Sequence, residues 1–88
     1  MQFDSILWDR DDDPQGNVQH VAAHSLSKDD VEDVFQKPKG RDVSRSSGLP
    51  VVFGYTRTNR HIMVVYEVID ASTVRPVTAY AVPRRKRP

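Results

Sequence analysis

The chain has 88 residues, no cysteine, and a near-neutral balance of 13 basic and 12 acidic side chains. This length suits one small domain, and without cysteine no disulfide can stabilise it. Because no apolar run is long enough for a signal-peptide core or a membrane span, we expect a cytoplasmic protein without a membrane role.

The charged residues are distributed unequally along the chain. Residues 1–35 hold two basic and nine acidic side chains, a net charge of −7, whereas residues 36–88 hold eleven basic and three acidic ones, a net charge of +8. This asymmetry indicates either that the second half binds a polyanion, such as RNA or an acidic protein, or that the two halves neutralise each other in the fold. The sequence leaves both interpretations open.

The N-terminal part predicts a short strand followed by a first helix. Residues 2–8 have the aromatic and β-branched content of a strand, which a run of aspartates ends. Asp13 before Pro14 predicts a helix N-cap followed by proline at the first helical position. Apolar residues at helical spacing then predict a helix of about ten residues that ends near His24 or Ser25.

The second helix has a stronger start signal. Ser27 and Asp30 have the spacing of a capping box, in which each side chain accepts a hydrogen bond from the other residue's backbone N–H. Leu26 and Val31 occupy the two positions of a hydrophobic staple around that box. Pro38, with a glycine two residues later, predicts the end of this helix.

The remainder of the chain has the pattern of an antiparallel sheet. The sequence predicts strands over residues 41–45, 49–56, 61–69 and 73–82, with a turn over 58–60. Residues 61–69 are apolar on both faces, which is typical of a covered central strand. Pro76 cannot donate a ladder hydrogen bond, so it predicts an edge or a bulge in the last strand.

These elements predict an α+β fold: β-α-α followed by a three- or four-stranded antiparallel β-meander, with the helices packed on one face of a curved sheet. Residues 1–82 form the single predicted domain. Residues 83–88 form a basic C-terminal tail that is too charged to be buried. Trp8 is expected to anchor the first strand against the helices, with stacking on a base as the alternative.

The order of these elements and several short strings resemble the BrnT-type toxins of the RelE-like ribonuclease superfamily. The strings are ILWD at 6–9, NVQHVAAH at 17–24, SKDDVEDVF at 27–35, FG at 53–54 with Arg60, VVY at 64–66 and RPVTAY at 75–80. Together they cover nearly the whole chain, although each string is short.

The resemblance implies a RelE-like sheet and a metal-independent endoribonuclease toxin of a type II toxin–antitoxin system. It also implies a BrnA-like antitoxin of the ribbon-helix-helix type as partner, and neither a metal nor an organic cofactor. The chain departs from the family at its C-terminal end. It has Thr78, Ala79 and Tyr80 where the family has Ser-Ala-Arg, and the basic tail replaces a helix. The alternative is a non-catalytic RNA- or protein-binding module that keeps the RelE-like fold.

Metal-independent cleavage of RNA requires a base for the 2′-hydroxyl, cations for the phosphorane, and an acid for the leaving 5′-oxygen. The candidate catalytic residues are Arg57, Arg60, His24 and Tyr80. Arg57 and Arg60 flank one predicted turn and could clamp a phosphate, although ordinary turn solubility explains them as well. The resemblance aligns His24 with a family histidine, while Tyr80 is either a proton donor or a strand aromatic with a solvated hydroxyl.

Further basic residues are candidates for binding RNA phosphates. They are Arg75, Arg84, Arg85, Lys86 and Arg87. Arg75 has a structural alternative, an ion pair with Glu67, which would otherwise be a costly carboxylate in an apolar strand. The tail residues could equally bind an acidic partner or serve solubility. His20 and His24 have a zinc-binding spacing, but no third ligand accompanies them, so no metal site is predicted.

Overall fold

The computed structural model describes residues 4–83, which form two helices and a five-stranded mixed sheet. The elements are β1 (Ser5–Ile6), α1 (Asn17–Ala22), α2 (Lys28–Gln36), β2 (Gly40–Val43), β3 (Pro50–Tyr55), β4 (His61–Asp70) and β5 (Thr73–Ala81). Strands β2 to β5 form an antiparallel meander, and β1 adds in parallel to β5, which gives the order β1-β5-β4-β3-β2. The predicted α+β class and element order are confirmed.

Two sequence predictions fall wholly or partly outside these residues. The basic tail residues Arg84, Arg85, Lys86 and Arg87 lie beyond the described range, as does the start of the first predicted strand. Within residues 4–83, no helix has the length and apolar character needed to cross a membrane.

The hydrophobic core lies between the helices and one face of the sheet. Val52 pairs with Val64, and Val64 pairs with Ala79, so these three fully buried side chains share that face across β3, β4 and β5. The helices and the connection between them contribute five buried side chains to the same core: Val21, Leu26, Val31, Val34 and Phe35. Trp8, two residues after β1, packs against this cluster and donates its indole N–H to Glu32, 3.1 Å away, which agrees with its predicted anchoring role.

The predicted start of α2 is confirmed. Ser27 is the N-cap, its hydroxyl accepts the Asp30 N–H, and the Asp30 carboxylate accepts the Ser27 N–H in return. Leu26 and Val31 are both buried, as the staple requires. The helix ends at Gln36, just before the predicted proline stop.

The predicted start of α1 at Asp13 is wrong. The helix begins at Asn17 with Gly16 as N-cap, and the Asp13 carboxylate instead accepts a backbone N–H two residues on. The Asn17 N–H donates to the carboxylate of Asp9 at 2.8 Å, so a residue eight positions earlier caps the helix. A Cβ on Gly16 would lie 2.8 Å from the Cβ of Asp9, and this close approach requires glycine.

Strand β5 has a bulge and a partly free edge, as Pro76 predicted. The register with β4 shifts between Val65 and Tyr66, which pair with Thr78 and Pro76 respectively. On its outer side β5 pairs with β1 only at Thr73 and Val74. Within residues 4–83, the rest of its outer edge has no strand partner, and that part carries Tyr80.

Candidate functional site

Three of the four predicted catalytic residues meet at one end of the sheet. The His24 ring, in the turn after α1, lies 5.8 Å from the Tyr80 ring near the end of β5, measured between centroids. The Arg60 guanidinium, from the β3–β4 turn, donates from Nη1 to the Ser25 carbonyl at 2.8 Å, beside His24. We call His24, Arg60 and Tyr80 the His24 cluster.

The turns around the cluster explain how it is assembled. Ser25 has a positive φ of 63°, which turns the chain sharply between α1 and α2 and directs its carbonyl to Arg60. Asn59 has a φ of 64° in the predicted β3–β4 turn, which is confirmed. Thr56 closes that turn, because its Oγ1 accepts the Arg60 N–H at 3.1 Å and its own N–H donates to the Arg60 carbonyl at 2.9 Å. The backbone of Arg60 is therefore fixed on both sides.

A second imidazole extends the cluster along α1. The His20 and His24 rings are stacked, with centroids 6.1 Å apart and an interplanar angle of 24°. In residues 4–83, no group of three or more His, Cys, Asp or Glu side chains is arranged to hold a metal ion. The pair therefore places a second exposed imidazole, that of His20, against the His24 ring that contacts Tyr80.

Arg57, the fourth predicted catalytic residue, is bound to α2. Its Nε and Nη2 donate to the two oxygens of Asp33 at 3.1 and 2.9 Å, and its backbone N–H donates to the same carboxylate at 3.0 Å. The side-chain hydrogen bond from Arg57 holds the pKa of Asp33 below its ordinary value, and the same bond raises the pKa of Arg57. Asp33 therefore competes with a phosphate for the Arg57 guanidinium, which the predicted phosphate clamp with Arg60 would need.

Arg75 is engaged between two carboxylates. Its Nη2 donates to Asp9 at 2.7 Å and its Nη1 donates to Glu67 at 3.2 Å, with the arginine side chain 29% exposed. The predicted pair with Glu67 is confirmed. The contacts of Arg57 with Asp33 and of Arg75 with Asp9 each join the basic half to the acidic half, so part of the charge asymmetry is neutralised within the fold.

Stability in acid should report on the contact between Asp33 and Arg57. The pKa of Asp33 is lower in the folded chain than its ordinary value of 3.8. The contact therefore stabilises the fold fully at pH values above 3.8, and this stabilisation is lost as the pH falls from there through the lower pKa of the folded chain. Asp33→Asn should therefore lose less stability than the wild type between about pH 6 and about pH 2.5. Urea midpoints at both values measure this, with Asp4→Asn, at an exposed position, as the control.

The expected difference is small, since the Arg57 side chain is 66% exposed and solvent screens the pair. Equal acid losses in the wild type and in Asp33→Asn would contradict the pairing.

Comparisons of the chain with family models, with curated proteins and with solved structures find no match. The resemblance to BrnT-type toxins accordingly stays a prediction that depends on the short strings quoted above. The geometry of the His24 cluster is the physical basis for a proposal about function.

Proposed function

We propose that the protein is a BrnT-like toxin of a type II toxin–antitoxin system with a RelE-like fold, and that it cleaves RNA without a metal at the His24 cluster. The observation that carries this proposal is the convergence of an imidazole, a guanidinium and a phenol from three separate segments. His24 and Tyr80 are 5.8 Å apart between ring centroids, and Arg60 is bonded to the residue next to His24. These groups match the base, the acid and the cation that the reaction needs.

In the proposed reaction, His24 accepts the proton of a ribose 2′-hydroxyl, and the freed oxygen attacks the adjacent phosphorus. The bond from phosphorus to the 5′-oxygen breaks, and the Tyr80 phenol gives its proton to that leaving oxygen. Arg60 stabilises the negative charge on the phosphoryl oxygens. The products carry a 2′,3′-cyclic phosphate and a 5′-hydroxyl. His24 and Tyr80 are both solvent-exposed, which suits a long, flexible substrate.

A second candidate is a non-catalytic RNA-binding module with the same fold. It is favoured by the partners of two predicted cations, since Arg57 is bound to Asp33 and Arg75 is bound to two carboxylates. It is also favoured by Tyr80, a neutral group where the resemblance calls for an arginine. Under this candidate the His24 cluster contacts RNA but transfers no proton.

Purified protein incubated with end-labelled single-stranded RNA separates the two candidates. The nuclease proposal predicts fragments with 2′,3′-cyclic phosphate and 5′-hydroxyl ends, at a rate that EDTA does not change. It also predicts growth arrest on induced expression, relieved by co-expression of a ribbon-helix-helix antitoxin. Binding of intact RNA without fragments would support the second candidate, and folded protein that neither binds nor cleaves RNA would exclude both.

A further inference from the structure

An open depression of about 310 Å³ lies where the end of α2 meets the end of β3. This volume is at the lower end of the range of ligand sites, about 300–1,000 Å³. Its lining includes the bound pair Arg57 and Asp33, and also Lys37, Lys39 and Tyr55. Neither lysine was a candidate in the sequence, because each lies beside a helix end or a strand start, where basic residues are ordinary.

The depression is positively charged, because its one carboxylate is already neutralised. Asp33 accepts both side-chain hydrogen bonds and the backbone bond of Arg57. Lys37 and Lys39 are exposed, and neither forms an ion pair with a carboxylate of residues 4–83. Two lysine charges are therefore available to a ligand.

The backbone holds both lysines at the rim of the depression. The Lys37 N–H donates to the Asp33 carbonyl at 3.1 Å, and the Lys39 N–H donates to the Phe53 carbonyl of β3 at 2.8 Å. The single residue between them is Pro38, whose ring restricts the backbone of this segment. The ammonium groups can move, but their points of attachment are fixed relative to the sheet.

Aromatic rings continue from the depression along the face of the sheet opposite the helices. The Tyr55 ring, which lines the depression, lies 4.9 Å from the His61 ring, and the His61 ring lies 6.2 Å from the Phe53 ring at an interplanar angle of 20°. Phe53 and Tyr55 alternate with the core residue Val52, so they belong to the face of β3 that points away from the helices. All three rings are partly exposed.

The same turn joins this surface to the His24 cluster. Thr56, which also lines the depression, is bonded to Arg60 through both its hydroxyl and its backbone. A ligand that occupies the depression and the aromatic face therefore lies one tight turn away from Arg60.

We propose that the depression is a phosphate subsite for single-stranded RNA, in which Lys37 and Lys39 bind the backbone and Tyr55 stacks on the adjacent base. Cations beside aromatic rings are the combination that binds unpaired nucleic acid, because phosphates need charge and exposed bases need a flat apolar surface. An acidic protein segment would use the lysines but would not need the row of rings. The inference rests on the proposed function only in taking RNA as the ligand.

The test is the salt dependence of RNA binding, measured by fluorescence anisotropy with a labelled short oligouridylate. All proteins carry His24→Ala, so that the RNA stays intact. Lys37→Ala/Lys39→Ala should reduce the slope of log affinity against log salt by about 0.7 per lysine, and should weaken binding about 10- to 30-fold near 0.1 M salt. Tyr55→Leu should weaken binding at least about fivefold while leaving the slope unchanged.

The matched control is Arg41→Ala/Arg45→Ala, which removes the same charge from two exposed side chains that lie outside the depression and form no ion pair with a carboxylate of residues 4–83. It should leave the slope within error of the parent protein. An unchanged slope for the lysine pair in folded protein overturns the subsite. The subsite is also overturned if a polyglutamate peptide of equal charge binds as tightly as the RNA and loses as much affinity in the Tyr55→Leu protein. Failure of cleavage alone would refute the proposed nuclease and leave the binding result intact.

Discussion

Replacing Asn17 by alanine is expected to lower the free energy of unfolding by about 3 kcal/mol or more, since each buried backbone group that loses its partner costs about 1–3 kcal/mol. Asn17 is 2% exposed. Its amide donates to the carbonyls of Leu7 and Pro76 at 3.0 and 2.8 Å, and its oxygen accepts the Asp9 N–H at 2.8 Å. The Asn17 side chain thus joins residues 7–9, which follow β1, to α1 and to β5.

Thermal unfolding of the full chain would measure this effect, with an expected drop in Tm of more than about 12 °C, at about 4–8 °C per kcal/mol for a domain of this size. Gln19→Ala is the matched control. Its side chain also donates to a backbone carbonyl, at 2.6 Å, but in an exposed position, so the loss should be below about 0.5 kcal/mol. A variant at Asn17 as stable as the control would contradict the joining role of this network.

The Asn17 network also explains why one helix start was predictable and the other was not. The capping box of α2 is formed within three residues, Ser27 to Asp30, so its chemistry is visible in the local sequence. The cap of α1 comes from Asp9, eight residues away, and Asn17 is fixed by a carbonyl of β5 that is 59 residues away. Contacts over such separations depend on the fold as a whole.

The same distinction applies to the sheet. The meander of β2 to β5 was predictable because its strands follow one another through short turns with local signals. The parallel pairing of β1 with β5 was not predicted, because it joins the two ends of the domain: Ser5 with Thr73 and Ile6 with Val74. As a result, part of the last strand's predicted free side is covered.

The sequence predicted residues of the candidate site only where an unpaired charge would be energetically costly, or where the family resemblance pointed to a particular residue. The pair of Glu67 with Arg75 followed from the cost of an unpaired carboxylate in an apolar strand. The contact of Arg57 with Asp33 could not be predicted, because Asp33 lies 24 residues away on a helix whose packing against β3 the sequence does not specify. The basic depression depends on that same packing, which explains why Lys37 and Lys39 were missed.

His24→Ala is expected to slow RNA cleavage about 100- to 10,000-fold, the usual contribution of a general acid or base. His24 has the position for this role, because its ring lies against Tyr80 and the next residue holds the Arg60 guanidinium. Single-turnover rates with saturating labelled RNA measure the chemical step directly. RNA affinity should change less than about threefold, since an exposed imidazole adds little to backbone binding.

His20→Ala provides the matched control for this change, because it removes another exposed imidazole, which stacks on the His24 ring from α1, four residues earlier in the chain. We expect its rate to stay within about threefold of the wild type, since general acid–base catalysis depends on the group within reach of the substrate proton. Tyr80→Phe keeps the ring beside His24 but removes the proton that the leaving oxygen would take, so it should also slow cleavage. If His24→Ala and His20→Ala cleave equally well, the cluster is not the catalytic site. If Tyr80→Phe alone retains full activity, another group supplies the proton and Tyr80 only packs against His24.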